Sequence, residues 1–140
     1  MNRVSRVIAL DPGTKRIGVA ASNTSRTMAF PRDAIAAGDG AISAIADLIA
    51  SEGVTLVVIG RPVSLAGTDT ASSAMADRFV ADLASSVEGV EFVTFDERLT
   101  TVDARRRLAS AGKSDRAQRS LIDSEAATVL LQSFLDATNS

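Results

Sequence analysis

Hydrophobic positions along the chain change period several times, and each change marks an element. An apolar run rich in β-branched residues covers Val4 to Leu10, and a second apolar run covers Arg16 to Ala21. Between them stands Asp11-Pro12-Gly13-Thr14, where Pro then Gly suits the centre of a type II turn. The pattern predicts a β-hairpin, followed by a third short strand over Thr27 to Phe30 that Pro31 ends. From Asp39-Gly40 the period lengthens. Ile42, Ile45, Ala46 and Ile49 recur at helical spacing up to Gly53, a C-cap residue. Val54 to Ile59 is nearly continuous Val, Leu and Ile, the signature of a strand buried on both faces, and Gly60-Arg61-Pro62 ends it.

The second half repeats the alternation. Ser64 to Ser72 reads as a loop, Ala74 to Leu83 as a helix striped by Met75, Phe79 and Leu83, and Val90 to Phe95 as a strand. Thr100-Thr101-Val102-Asp103 resembles a capping box before a short helix over Val102 to Leu108. Ala109 to Ser120 is polar and reads as a mobile loop, and Leu121 to Leu135 as the last helix. The order β-β-β-α-β-α-β-α-α predicts an α/β fold: a five-stranded mixed sheet with helices on both faces. Residues 1–140 contain no internal repeat or linker and are expected to form a single domain.

Composition narrows the chemistry. The chain is 140 residues long, 46% hydrophobic, with a net charge of −2 and neither Cys nor His. Thiolate nucleophiles, thiolate zinc sites and imidazole bases are therefore excluded. Trp and Tyr are absent and five Phe remain, too few for a base-stacking platform. No apolar run approaches the roughly 20 residues that span a bilayer, and the first residues do not read as a signal peptide, so a cytoplasmic protein without membrane contact is expected.

Chemistry must then rest on carboxylates. Asp11 ends the first strand, where open α/β sheets place their sites, although Asp also commonly shapes turns. Asp96 and Glu97 end the last strand. Alternation turns one of the two toward the site, whereas an ion pair with Arg98 is the simpler use of either. Counting on from Asp123, the residues Ala126, Ala127, Leu130, Leu131 and Phe134 fall on one helix face, so Asp123 heads an apolar stripe. A capping role with Ser120 is the competing use. Two carboxylates about 5 Å apart repel by roughly 3 kcal/mol at an effective dielectric of 20. A hard divalent cation, Mg²⁺ or Mn²⁺, removes that penalty and can drive phosphodiester cleavage with no His.

Cations flank these acids. Residues 98–119 hold Arg98, Arg105, Arg106, Arg107, Lys113, Arg116 and Arg119 against Asp103 and Asp115, seven cations against two acids, a net +5 in a chain of −2. Lys15 and Arg16 follow Asp11. Such a patch can bind the phosphates of nucleic acid; the plainer use is a solvated helix face.

Four segments carry a family resemblance. Residues 7–20 (VIALDPGTKRIGVA) resemble the opening motif of the YqgF/RuvX family, and Val58-Ile59-Gly60-Arg61-Pro62 through Gly67 its Gly-x-Pro strand end. Asp96-Glu97-Arg98-Leu99-Thr100-Thr101 resembles its most distinctive motif, and Ile122 to Ala127 with Leu130 to Leu135 its last helix. The resemblance implies an RNase H-like fold and metal-ion nuclease chemistry with Asp11, Glu97 and Asp123 as ligands. It favours Glu97 over Asp96, which stays an alternative ligand. It implies precursor 16S rRNA at its 5′ end or a four-way DNA junction as substrate. Symmetric cutting of a junction would require a homodimer. Asn23 replaces a frequent family Asp, and Ser124-Glu125 replaces a small apolar pair, with Glu125 expected to face outward. Glu97 follows a strand expected to lie one removed from that of Asp11, so it is expected either to reach inward or to move when substrate binds. Two other classes compete: a non-catalytic RNA- or ribosome-associated factor, and an actin-like phosphotransferase, for which 140 residues supply neither a second domain nor a cleft.

Overall fold

A computed structural model describes residues 5–111 and 119–139. Five strands form one sheet in the order β3-β2-β1-β4-β5. Strands β1 (Val7–Pro12), β2 (Arg16–Ser22) and β3 (Ala29–Ala36) make an antiparallel meander, and β4 (Leu56–Arg61) and β5 (Glu91–Asp96) add parallel to β1. The helices are α1 (Ala41–Glu52), α2 (Ala71–Ala84), α3 (Val102–Ala111), α4 (Arg119–Ile122) and α5 (Glu125–Thr138), with a 3₁₀ turn over Glu97–Leu99. The mixed five-stranded sheet matches the expectation from periodicity. Among the described residues no helix is long and apolar enough to cross a membrane.

Side-chain alternation divides the core in two. Ile8, Leu10, Val57 and Ile59 pack with Ile45 and Ile49 of α1 and Leu83 of α2. Val7, Ala9, Ala20 and Val58 face the other way, onto Ala127, Leu130, Leu131 and Leu135 of α5, with Leu108 of α3 beside them. Asp11 follows Ala9 by two positions and so projects on the α5 side.

Several boundaries differ from the periodicity, each for a backbone reason. The first strand runs through Asp11 and Pro12, which pair with Gly18 and Ile17, so the turn is confined to residues 13–15. Pro12 lies beyond the last pairing with β4, Leu10 with Ile59, and its missing N–H costs that ladder nothing. Pro31 does not end the third strand but sits within β3, an edge strand, where Pro is tolerated. The fourth strand includes Gly60 and Arg61. Thr70 caps α2 through Ser73, starting it three residues before Ala74. The Thr100–Asp103 capping box does not form: Thr101 Oγ1 accepts from the Ala104 amide instead. Gly53 closes α1 in the left-handed region, at φ 63°, as expected.

The largest difference lies at the last helix, which is two helices. α4 stops at Ile122 and α5 begins at Glu125, with Asp123 and Ser124 between them. Asp123 is exposed and lies outside α5; of the stripe counted from it Ala127, Leu130 and Leu131 are buried and Phe134 packs against them, whereas Ala126 is exposed, as is Glu125. Ser124 is the fully buried residue here. Its hydroxyl donates to Arg32 O at 2.6 Å and accepts from Val19 N at 3.0 Å. Those two groups lie at the irregularity between Ile17 and Val19 in the β2–β3 ladder. A side chain thus supplies bonds that the bulged ladder cannot. Gln132 repeats the device, accepting from Ala29 N and donating to Thr27 O.

Candidate metal and nucleic-acid site

Asp11 and Glu97 come together at the C-terminal ends of β1 and β5. Strand β4 separates their parent strands, and Gly60 lies on it one step past the Leu10–Ile59 pairing. A Cβ on Gly60 would stand 2.8 Å from Glu97 Oε2, 3.5 Å from Asp11 Oδ1 and 2.7 Å from Leu130 Cδ1. The bare backbone of Gly60 is the floor over which Glu97 reaches to Asp11. A hydrogen bond joins the two carboxyls, with Glu97 as donor and Asp11 as acceptor. Burial raises the pKa of Asp11, and the Glu97 bond partly offsets that. Glu97 is pushed up to about 7, first by desolvation and then by the charge of Asp11. Glu97 therefore passes between its neutral and charged forms around pH 7.

Asp96 has a local role. Its carboxylate accepts from the Arg98 backbone N–H at 2.8 Å, capping the 3₁₀ turn, and pairs with the Arg98 guanidinium at 2.6 Å. Arg98 holds its pKa below the ordinary value. Of the two adjacent acids, Asp96 takes the ion pair that strand alternation left open, and Glu97 faces Asp11.

Asp123 stands outside the pair. Its Oδ2 is 3.5 Å from Arg16 Nε. Among the described residues no group of three acids is close enough to hold a metal ion together. The main chain at Asp123 is nevertheless brought to the same end of the sheet. A Cβ on Gly18, the register partner of Asp11, would lie 2.8 Å from Asp123 O and 3.3 Å from Ser124 Cα.

The cations are spread more widely. Lys15 and Arg16 project from the β1–β2 turn and are exposed. Arg105 and Arg106 are exposed on α3, and Arg107 lies 3.6 Å from Asp136. Arg98 is tied to Asp96 and also packs against the β4–α2 loop, its Nη1 3.0 Å from the Cβ position of Gly67. Lys113 and Arg116 lie outside the described residues. Arg119 opens α4, and its side chain lies outside them as well. A groove lined by Phe95, Leu99, Arg107 and Ser133 opens between β5, α3 and α5, and none of the three carboxylates lines it.

A family model described as RuvX, Holliday junction resolvase, matches residues 5–137. The chain belongs to the RuvX family. Relatives that carry the name pre-16S rRNA nuclease include a Leifsonia xyli protein, 40% identical over 132 residues, covering 93% of this chain and 84% of that one. Another, from Chlorobaculum tepidum, is 37% identical, covering 94% of each chain. Among solved structures the fold is similar to Thermus thermophilus RuvC in complex with Holliday junction substrate, with a TM-score of 0.66 and 11% identity over 97% of both chains. It is also similar to the fowlpox virus resolvase complexed with Holliday junction DNA, with a TM-score of 0.62 and 8% identity over 96% of this chain and 99% of that one. At such identities these likenesses establish the RNase H-like fold alone.

The donor set fits the hard divalent cation that the RuvX family implies. Asp11 and Glu97 present oxygens only, both are partly desolvated, and the charge of Asp11 disfavours that of Glu97. A cation that prefers oxygen ligands cancels that repulsion. Three residues with a part in this arrangement lie within the motif segments but were given no role there: Gly60, Gly18 and Ser124. The glycines were visible as interruptions inside β-branched runs, a mark of close backbone approach. Ser124 was marked only as a departure from the family's small apolar pair, with no structural role attached.

Proposed function

We propose that this protein is a divalent-metal-dependent endonuclease that cuts phosphodiester bonds in structured nucleic acid. Precursor 16S rRNA is the first substrate to test and a four-way DNA junction the second. The observation that carries the reading is the Asp11–Glu97 carboxyl pair, held over Gly60 at the C-terminal edge of an RNase H-like sheet. Membership of the RuvX family and the names of its relatives support the substrate class. Activity on such substrates fits a cytoplasmic protein.

In this reading Asp11, Glu97 and Asp123 hold Mg²⁺ or Mn²⁺, with Asp96 engaged by Arg98. When bound, such an ion supplies charge stabilisation at the phosphate and a more acidic water. The chain does the rest. Asp11 and Glu97 would hold the ion in their charged forms, which favours binding above the Glu97 pKa of about 7. Lys15 and Arg16 on the β1–β2 turn and Arg105 and Arg106 on α3 bind phosphates and set the register of the substrate. Gly60 keeps the floor of the site free of side chain.

The test is cleavage of a 5′-extended 16S rRNA precursor and of a four-way DNA junction, each with Mg²⁺ or Mn²⁺, by wild type and by Asp11→Asn. Metal-dependent cutting of either substrate, abolished by the substitution with binding retained, is the expected result. Binding of RNA without cutting of either substrate would overturn the nuclease reading in favour of a non-catalytic RNA-binding factor. Sedimentation of the protein with and without the junction tests the homodimer that symmetric cutting requires.

A further inference from the structure

Asp123 has a main chain fixed against Gly18, the register partner of Asp11, and a side chain paired with Arg16. The fixed part is explicit: Asp123 O and Ser124 Cα lie against Gly18, opposite Asp11 in the β1–β2 register. The buried Ser124 hydroxyl bonds Val19 N and Arg32 O, and Thr128 Oγ1 donates to Ser124 O at 2.7 Å. The free part is equally explicit. Asp123 Oδ2 lies 3.5 Å from Arg16 Nε, with the two side chains 36% and 60% exposed.

We propose that Arg16 is a substrate-released latch: it holds the Asp123 carboxylate away from the Asp11–Glu97 pair until a phosphate of the nucleic acid takes the guanidinium. The inference rests on the reading of Asp123 as a metal ligand, and makes Arg16 a positioning residue acting through Asp123. An exposed ion pair at 3.5 Å is weak, so a competing partner displaces it readily. A phosphate is such a partner, because it accepts two parallel N–H bonds from a guanidinium. Arg16 and Lys15 sit together on the turn that follows Asp11, where a backbone phosphate near the site meets them first. Release frees Asp123 to complete the ligand set, so phosphate binding tightens metal binding. By linkage, metal binding tightens nucleic-acid binding by the same factor.

The test is calorimetric titration of Mn²⁺ alone into the full chain as wild type, Arg16→Gln, Asp123→Asn and the double variant. The latch predicts that Arg16→Gln binds Mn²⁺ about three- to fivefold more tightly than wild type. In the Asp123→Asn background that gain disappears, because nothing is left to release. An equal gain in both backgrounds would mean simple relief of repulsion between Arg16 and the ion, and would overturn the latch. So would no gain. A second readout needs no metal. The Arg16 Nε–H resonance should shift when a short RNA duplex is added to metal-free protein, and an unmoved resonance refutes the phosphate exchange. Both outcomes are independent of the Asp11→Asn cleavage test, so the latch can fail while the nuclease reading stands.

Discussion

Glu97 reaches Asp11 only because residue 60 has no side chain: its Oε2 stands 2.8 Å from the point a Gly60 Cβ would occupy. An Asp and a Glu on strands two apart are thereby brought into one hydrogen bond, across a backbone made bare at one position.

Gly60→Ala is accordingly expected to cost function more than stability. The added methyl meets both Glu97 Oε2 and Leu130 Cδ1, and overpacking of this kind costs about 1–3 kcal/mol. Urea unfolding measures that cost. In a Glu97→Ala background the same substitution should cost less, since only the Leu130 contact remains. Equal costs in the two backgrounds would show that Glu97 does not lie over Gly60.

The carboxyl pair makes stability fall with rising pH. Glu97 has a folded pKa of about 7 against an ordinary 4.5, so the folded protein holds a proton that the unfolded chain releases. That contribution is full below about 4.5 and is lost as pH rises through 7, in all about 1–2 kcal/mol once its half-exposed setting is discounted. Asp11, shifted the same way, adds to it. Glu52, Asp77 and Asp96 are shifted down by arginine partners, and their contributions are lost on the acid side instead. Urea midpoints at pH 5 and pH 8 should therefore drop for wild type and stay nearly level for Glu97→Gln. Added Mg²⁺ at pH 8 should raise the wild-type midpoint by mass action.

Ser124→Ala should destabilise by about 1–3 kcal/mol, because Val19 N and Arg32 O lose their shared partner in a buried setting. Hydrogen exchange locates the effect: the Val19 amide is expected to exchange faster, while amides of α1 and α2 keep their protection relative to global unfolding. A Val19 amide as protected as before would exclude this bond as the anchor of the α4–α5 junction.

The cations of α3 and of the 3₁₀ turn should differ in their weight on nucleic acid. Arg105 is exposed, whereas Arg98 already spends its charge on Asp96. Arg105→Gln is expected to weaken binding and lower the slope of log K against log salt by about 1. Arg98→Gln should change that slope less. The reverse order in a salt titration would place the phosphate track over β5 instead of α3.

Periodicity alone was sufficient for the architecture. Alternation and helical spacing are local consequences of which face is buried, so β1, β2, α1, β4, α2 and β5 could be read to within a few residues, and with them the mixed sheet. The acids were legible for a related reason: in a chain without His or Cys, carboxylates at strand ends are the remaining chemistry. Register and the third dimension of the site were not legible. The intervening strand between those of Asp11 and Glu97 was expected and is found, but that Gly60 on it forms the floor under the reach of Glu97 emerges only once the sheet is assembled. Nor could spacing tell Asp96 from Glu97, since a nearby guanidinium decided which acid paired. Most of the stripe counted from Asp123 faces the core, but Asp123 itself lies outside the helix, because the buried Ser124 hydroxyl, bonded to Arg32 92 residues away in sequence, sits at the break between α4 and α5. Elements follow from short-range pattern; a site built where four strands and a helix end meet follows from contacts between residues far apart in the chain, and those only the folded protein decides.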